Sequence, residues 1–249
     1  MENIKGKVSV ITICHNCKAD LEKTIQSVVA QTYDNREFIV VDGGSTDGTK
    51  DVLSRYQHVI DKCISESDDG IYDALNKGVR LAVGEWIICM NAGDTFTSSD
   101  VLYNIFNSEI PEGTAFIYSD FWLCHPDGTR QLRTTDRAMG EIHHQNAIYK
   151  RELHERYGYY VVTHPYIVSD LLFFLAIPQS YFYKTSTIIA DVKADGISDS
   201  SWCTEQALAA KAVYGMETIP SIFRKYIRMH LALWLRGIKN KVLFQKSNH

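Results

Sequence analysis

Through the first hundred residues, short apolar runs rich in β-branched side chains alternate with stretches whose apolar residues recur at helical spacing. That alternation is the signature of a parallel sheet built from βαβ units. Val8 to Ile13, Phe38 to Val41, Val59 to Ile64 and Trp86 to Met90 read as strands. Leu21, Ile25, Val28 and Val29 mark one helical face between them, Leu75, Val79 and Ala82 mark another, and Thr49 to Tyr56 reads as a third helix. From Ala115 the pattern loosens. Ala115 to Ser119 is strand-like, His125-Pro126-Asp127-Gly128 suits a hairpin turn, and irregular sequence runs to Tyr166. Helices are expected at Ser169 to Ala176 and Ser201 to Tyr214, with one strand-like stretch, Tyr181 to Ala190, between them. The fold class is α/β, a Rossmann-like, mostly parallel sheet flanked by helices, followed by a less regular half.

The chain has 249 residues, 45% of them hydrophobic, enough for one large domain or one domain with an appendage. A net charge of −4 gives no overall basic face for nucleic acid, so no nucleic-acid partner is expected. The apolar runs are too short to cross a bilayer, Met1 to Lys7 leads into no secretory signal, and the six cysteines are scattered rather than set out as a disulfide framework. These features suit a cytoplasmic protein with reduced thiols. Cys14-His15-Asn16-Cys17 has the C-x-x-C spacing, yet lacks the second pair that a structural zinc site needs, so packing is its expected role.

The last thirty residues differ in charge. No acid follows Glu217, whereas Arg224, Lys225, Arg228, Arg236, Lys239, Lys241 and Lys246 do. On a helical projection most of these bases share one arc, opposite Ile222, Phe223, Tyr226, Ile227, Trp234 and Ile238; Lys241 and Leu243 break the pattern. An amphipathic basic helix is expected over 219–249. Residues 221–246 would either meet a membrane surface peripherally or pack on the rest of the protein.

The turn Asp42-Gly43-Gly44-Ser45-Thr46-Asp47-Gly48 lies at the carboxyl end of the second strand, the edge at which open α/β sheets bind ligands. Asp42 could accept hydrogen bonds from a base or ribose hydroxyl, or cap the turn; Asp47 suits a helix cap. Glu66 and Asp68 follow the third strand at the same edge, as ligand contacts or as a solvated loop with Asp69. Asp73, Asn76 and Lys77 share one face of the next helix, from which Lys77 could approach a phosphate or remain exposed.

Five segments occur in order: Val8-Ser-Val-Ile-Thr-Ile-Cys-His-Asn16; Gln31-Thr32; Phe38-Ile-Val-Val-Asp-Gly-Gly-Ser-Thr-Asp-Gly-Thr49; Ser65-Glu-Ser-Asp-Asp-Gly-Ile-Tyr-Asp-Ala-Leu-Asn-Lys-Gly78; and Gly84-Glu-Trp-Ile-Ile-Cys-Met-Asn-Ala-Gly-Asp94. Together they resemble the family 2 glycosyltransferases, densely over residues 7–100 and thinly to about 215. The resemblance implies a GT-A fold over 1–218, with a nucleotide-binding half (1–114) and an acceptor-binding half (115–218), and transfer with inversion from a nucleotide-activated sugar, UDP-sugars by default. It also implies a role for Asp42, Glu66, Asp68, Asp73, Asn76 and Lys77 in holding the nucleotide. The acceptor would be a carbohydrate or a lipid-linked glycan at the inner face of the membrane.

By the same resemblance Asp94 stands in the place of a D-x-D-like metal motif, as an exposed carboxylate for Mn²⁺ or Mg²⁺, although Asn91 and Gly93 occupy positions that are often acidic. Asp170, after Val168-Ser169, matches the catalytic base, with a helix cap as its alternative. His143-His144-Gln145 resembles the segment near donor sugar and acceptor. Adjacent side chains of an extended segment point to opposite faces, so no two-histidine chelate is expected, and His144 or Gln145 would make polar contacts beside Asn91. His164 and Trp202 are candidates for the acceptor pocket. Two rivals remain. A sugar-nucleotide nucleotidyltransferase would want a glycine-rich loop where Cys14 to Lys18 stand; a non-catalytic nucleotide-binding subunit would fit the reduced acidic motif but not the retention of Asp94 and Asp170.

Overall fold

In the computed structural model, which describes residues 2–3, 6–162, 168–194 and 201–246, the predicted alternation forms as βαβ units. β1 (Val8–Cys14), α1 (Lys18–Val29), β2 (Arg36–Asp42), α2 (Thr49–Tyr56), β3 (Lys62–Ser65), α3 (Ile71–Leu81) and β4 (Trp86–Cys89) follow one another. The period of two sorts their side chains. Val8, Val10, Phe38, Val40 and Ile88 face a core closed by α1, α2 and α4 (Val101–Phe106), while Ile11, Ile13, Ile39, Val41 and Ile87 face a second core closed by α3. Gly78 lets α3 lie against β1, since a Cβ there would collide with Ile11.

Residues beyond Cys89 extend the same sheet and build a second one. β5 (Thr95–Phe96) is followed by β6 (Phe116–Tyr118), the hairpin β7 (Phe121–Cys124) and β8 (Arg130–Arg133), then β9 (Ala147–Lys150), α5 (Glu152–Tyr157), α6 (Ser169–Ala176), β10 (Phe182–Lys184) and β11 (Ala190–Lys193). The seven-stranded sheet has the order β10-β6-β9-β4-β1-β2-β3. β4, β1, β2 and β3 are mutually parallel, and β9 runs antiparallel to both β4 and β6. A four-stranded sheet, β8-β7-β11-β5, stands beside it.

Two strand expectations are corrected. Val59 to Ile64 is a strand only from Lys62: Val59 N bonds Tyr56 O at the end of α2, and Asp61 Oδ2 accepts from Phe38 N at 2.7 Å, so the chain enters the sheet late. Tyr181 to Ala190 is not one strand. β10 pairs with β6 in the large sheet and β11 with β7 in the small one, and the crossing between them is held by Thr97 Oγ1 donating to Ile188 O (2.6 Å) and by Ile189 N donating to Ser119 Oγ (3.0 Å).

At the amino edge, Glu37 is buried and accepts from Ser9 Oγ (2.5 Å), Lys62 Nζ (3.0 Å) and the N–H groups of Val83 and Gly84. Burial works to raise its pKa, and these donors overcome that effect and hold it below the usual glutamate value. One buried anion thereby fastens β1, β2, β3 and the entry to β4 together.

The chain divides into two compact units, residues 1–199 and 200–249. The break falls earlier than residue 218 because α7 (Ser201–Val213) packs with α8 (Ile219–Lys246). Along α8, Ile219, Phe223, Tyr226, Ile227, Leu231 and Trp234 are exposed and recur at helical spacing, as the amphipathic pattern requires. Lys225 pairs with Glu217, and His230 lies 3.0 Å from Glu205. Among the described residues, no helix is long and apolar enough to cross a membrane.

Beneath α6, His154 is 2% exposed, stacked on Phe173 with ring centroids 4.2 Å apart. Its Nδ1 donates to Gly158 O (3.1 Å), so Nε2 accepts from Tyr149 Oη (3.1 Å). Burial pushes its pKa down from 6.5 to about 4. Between those values the unfolded chain takes up a proton that the folded chain refuses, so stability falls as pH drops from 6.5 to 4 and levels off below. The loss is on the order of 3 kcal/mol for this group. Thermal midpoints measured from pH 7 to pH 4.5 should show less acid-dependent loss in His154→Gln than in the wild type, even though the variant starts lower.

Candidate active site

All four parallel strands of the first half end at one edge, with Cys14, Asp42 and Ser65 in register. Loops 15–17, 43–48, 66–70 and 90–94 leave from it. Asp42 has no exposed surface. Its carboxylate accepts from Ser45 N (3.2 Å), Ser45 Oγ, Ser65 Oγ (2.6 Å) and the Cys14 thiol (3.8 Å). In this structure Asp42 organises the turn, and the nucleotide contact expected of it is corrected, because every face of the carboxylate is met by protein. Gly44 and Gly48, with φ of +83° and +93°, supply the left-handed backbone the turn needs. Asn16 ties this turn to the β1–α1 loop, donating its N–H to Ser45 Oγ (2.7 Å) and accepting from Thr46 N (2.8 Å). Asp47 accepts from Thr49 N (3.0 Å) and Thr49 Oγ1 (2.6 Å) at the start of α2, whose N-cap position is Gly48 rather than Asp47.

Asp68 is the half-buried acid that lies at this edge, its carboxylate over Gly43, where a Cβ would collide with it; Oδ1 accepts from Gly70 N at 2.9 Å. Glu66 is exposed and pairs with Lys77 (2.9 Å), which also meets Asp73 (3.2 Å) and Ser67 O (3.0 Å). The bond to Glu66 leads the set that raises the Lys77 pKa. Lys77 is thus held by two acids rather than extended toward a phosphate. Asn76 is also corrected. It is 3% exposed, and its amide grips the backbone of Tyr160, donating to O (2.8 Å) and accepting from N (3.0 Å), which joins α3 to the second half of the unit and turns the amide away from solvent.

Asp94 is not the exposed carboxylate the motif suggests. It is 5% exposed, with Oδ1 accepting from Lys193 N (2.9 Å) and Oδ2 from Gln145 Nε2 (3.0 Å). Burial raises its pKa to about 6, against the pull of those two donors. Thr24 of α1 holds the turn: its hydroxyl donates to Asp94 O (2.7 Å) and accepts from Gly93 N (2.9 Å). Gly93 has φ +104°, and a Cβ there would press on Lys193 Cδ at 3.1 Å, so the turn itself demands a glycine where an acid was expected. The Lys193 ammonium pairs with Asp20 (2.5 Å).

His144 and Gln145 lie on a 3₁₀ turn, His144–Asn146, rather than on the extended segment assumed for His143 and His144. Gln145 reaches Asp94, as above. His144 Nε2 meets Asn91 Nδ2 at 2.7 Å, which makes Nε2 an acceptor and leaves the proton on Nδ1, donated to Asp170 Oδ2 at 2.9 Å. His143 is exposed, beside Phe121. Asp170 Oδ1 accepts from Tyr72 Oη (2.8 Å) and Leu171 N (2.9 Å). Burial works to raise the Asp170 pKa, and the bonds from His144 and Tyr72 outweigh it and hold the carboxyl below the usual aspartate value. The turn 144–146 therefore joins the two acids singled out in the sequence, Asp94 and Asp170, through consecutive residues.

Tyr72, Thr24 and Lys193 escaped the sequence reading. For Tyr72 a signal existed, since it sits four residues before Asn76 and shares its helical face. Trp202 belongs to the other unit, and its side chain, like all of His164, lies outside the described residues. Among the described residues no three His, Cys, Asp or Glu side chains converge as a metal site.

The sequence model of glycosyl transferase family 2 matches residues 9–108. The chain is 32% identical over 132 residues to the putative teichuronic acid biosynthesis glycosyltransferase TuaG of Bacillus subtilis, a match covering 52% of each protein. It is 34% identical over 100 residues to the PGL/p-HBAD biosynthesis glycosyltransferase of Mycobacterium bovis, 39% of each. The matches thus span about half, or less, of these relatives. In fold it is similar to S. aureus TarS 1-349 in complex with UDP-GlcNAc (TM-score 0.67, 16% identity, 84% of this chain and 65% of that one). The mannosyltransferase PcManGT from Pyrobaculum calidifontis, in complex with GDP-Man and Mn²⁺, is similar too (TM-score 0.61, 19% identity, 90% and 65%). Residues 9–108 thus match glycosyl transferase family 2, on a mostly parallel, helix-flanked sheet of the GT-A type.

Proposed function

We propose that this protein transfers a sugar from a nucleoside-diphosphate donor, UDP by default, to an acceptor hydroxyl with inversion, in the assembly of a cell-surface glycan. The observation that carries the reading is the pair of carboxylates, Asp94 buried and Asp170 half-buried, brought to one place by Gln145 and His144. The names of the relatives, teichuronic acid and PGL/p-HBAD biosynthesis glycosyltransferases, support the glycan setting. The UDP-GlcNAc bound to a neighbour in fold supports the choice of donor.

A divalent cation fits the residues present. Among the described residues, Asn91 Oδ1 and Gln145 Oε1 are buried oxygens without a hydrogen-bond partner, on the side chains that flank Asp94. Mn²⁺ and Mg²⁺ take hard oxygen ligands of this kind, usually with one or two carboxylates and the substrate's own phosphates. Asp94 and those two amide oxygens would hold it, and when bound it would offset the charge growing on the leaving diphosphate. Asp68 would accept from the nucleoside at the sheet edge, with Glu66 and Asp73 steadying Lys77 beside it. Asp170 would take the proton of the acceptor hydroxyl as that oxygen bonds to the anomeric carbon from the face opposite the diphosphate. The bond to the diphosphate breaks with its electron pair, so no enzyme nucleophile is needed.

Manganese should increase the rise in thermal midpoint that UDP produces, and Asp94→Asn should erase that increment while costing at least about a hundredfold in transfer of labelled sugar. Equal UDP affinity after chelation would remove the cation from the scheme. Failure to transfer from any nucleotide-sugar would return the protein to a binding subunit.

The tail supports a peripheral site on an anionic membrane, which would bring the catalytic unit to a lipid-linked acceptor. Ile219, Phe223, Ile227, Leu231 and Trp234 form an exposed apolar row, and the acid-free basic sequence beside them suits acidic headgroups. Each base contributes at most about 1 kcal/mol near such a surface, less in salt. The intact chain should pellet with phosphatidylglycerol-containing liposomes at low salt and release at high salt. A Phe223→Ser, Trp234→Ser double variant should stay in the supernatant; equal pelleting of the two would defeat the membrane role.

A further inference from the structure

We infer that Tyr72 is the positioning residue for Asp170, its hydroxyl filling Oδ1 so that the acceptor proton is taken at Oδ2. The inference rests on the reading of Asp170 as the base. An ionised carboxylate oxygen has room for two hydrogen bonds. Among the described residues, Oδ1 holds two, from Tyr72 Oη and from Leu171 N, whereas Oδ2 holds one, from His144 Nδ1. Among those residues one acceptor place is left, on Oδ2, beside the turn that carries Gln145 and reaches Asp94.

Tyr72 is built to stay where it is. It is 5% exposed on α3, and its ring packs on Tyr160 at 5.6 Å. One turn later Asn76 grips the Tyr160 backbone from the same helix. The start of α3 belongs to the edge loop that carries Asp68, so the helix that helps to form the donor side also fixes the base. His144 holds the other oxygen from a different element, and neither donor is in the segment of α6 that bears Asp170. Without Tyr72 the carboxylate could turn about its last torsion, and Oδ1 would compete for the acceptor proton in a poorer geometry.

The groups facing Asp170 are His144 and His143 from the 3₁₀ turn, Tyr72 from α3, Tyr160, Tyr149 from β9 and Cys89 from β4. Tyr72 donates from the neutral phenol, since burial and the Asp170 charge both push its ionisation far above the usual tyrosine value. Removal of a donor to a charged acceptor raises the pKa of that acceptor, and such bonds carry enough to change a rate about ten- to a hundredfold.

The test is Tyr72→Phe, which keeps the ring and deletes the donor. At saturating donor and manganese, kcat should fall about ten- to a hundredfold, the acid limb of the kcat–pH profile should move up by about one unit, and donor KM should stay within about twofold. Replacement of Tyr72 by 3-fluorotyrosine, a more acidic phenol, should move the limb the other way; this variant keeps the test decisive if the phenylalanine protein does not fold. Normal kcat with an unmoved limb in either folded variant would overturn the inference, as would a loss of kcat with no movement of the limb. Asp170→Asn separates the two levels. If it retains near-normal transfer, the base reading fails; if it abolishes transfer while Tyr72→Phe behaves as wild type, only the role of Tyr72 falls.

Discussion

Asp42 is removed from water at the point where three strands end, and a buried anion must be answered by donors or give up its charge. The answering groups are the reason the ligand edge has one shape. Ser45 comes from the turn after β2, Ser65 from the last residue of β3, and Cys14 from the last residue of β1. Asn16 then hangs the next loop on Ser45, and Asp68 lies down over Gly43. Loss of the carboxylate would leave three loops without their common anchor. The acid acts on this edge by shaping it from beneath.

The two halves are joined by a different device. Two residues on one face of α3 reach across, Asn76 to the backbone of Tyr160 and Tyr72 to Asp170, while the 3₁₀ turn 144–146 reaches back toward Asn91 and Asp94. The two halves are therefore stitched by side-chain contacts as well as by the continuous sheet, and the network is complete at Asn76 and Asp170 while Asn91 and Gln145 each keep an oxygen open.

Much of this could be read from the chain. The period of two in β1 and β2, and the helical spacing of Leu21, Ile25 and Val28, gave the layers directly, and Thr49 to Tyr56 and Ser169 to Ala176 form helices with the predicted bounds. The strand reading faltered at Tyr181 to Ala190, because an apolar run does not announce that its two ends pair with different sheets. Site residues divide in the same way. Asp94 and Asp170 are recognisable by their place after a strand and at the head of a helix. What each carboxylate touches is not, since burial and donors come from residues dozens of positions away: Lys193 for Asp94, Tyr72 for Asp170. Asp42 shows the cost of reading location alone, and a 3₁₀ turn stands at His144–Asn146 where an extended segment was assumed.

Gly93 sets a limit on how this site can change. Its left-handed backbone and the Lys193 stem above it close that position to any larger residue, whereas Asn91 is nearly the same shape as an aspartate and already aims an oxygen inward. The charge beside Asp94 can accordingly be adjusted by a single isosteric exchange at 91, with the loop left as it is. At 93 the same gain would require the loop and β11 to be rebuilt together. The turn works as a one-sided dial, open to tuning at its first residue and locked at its third.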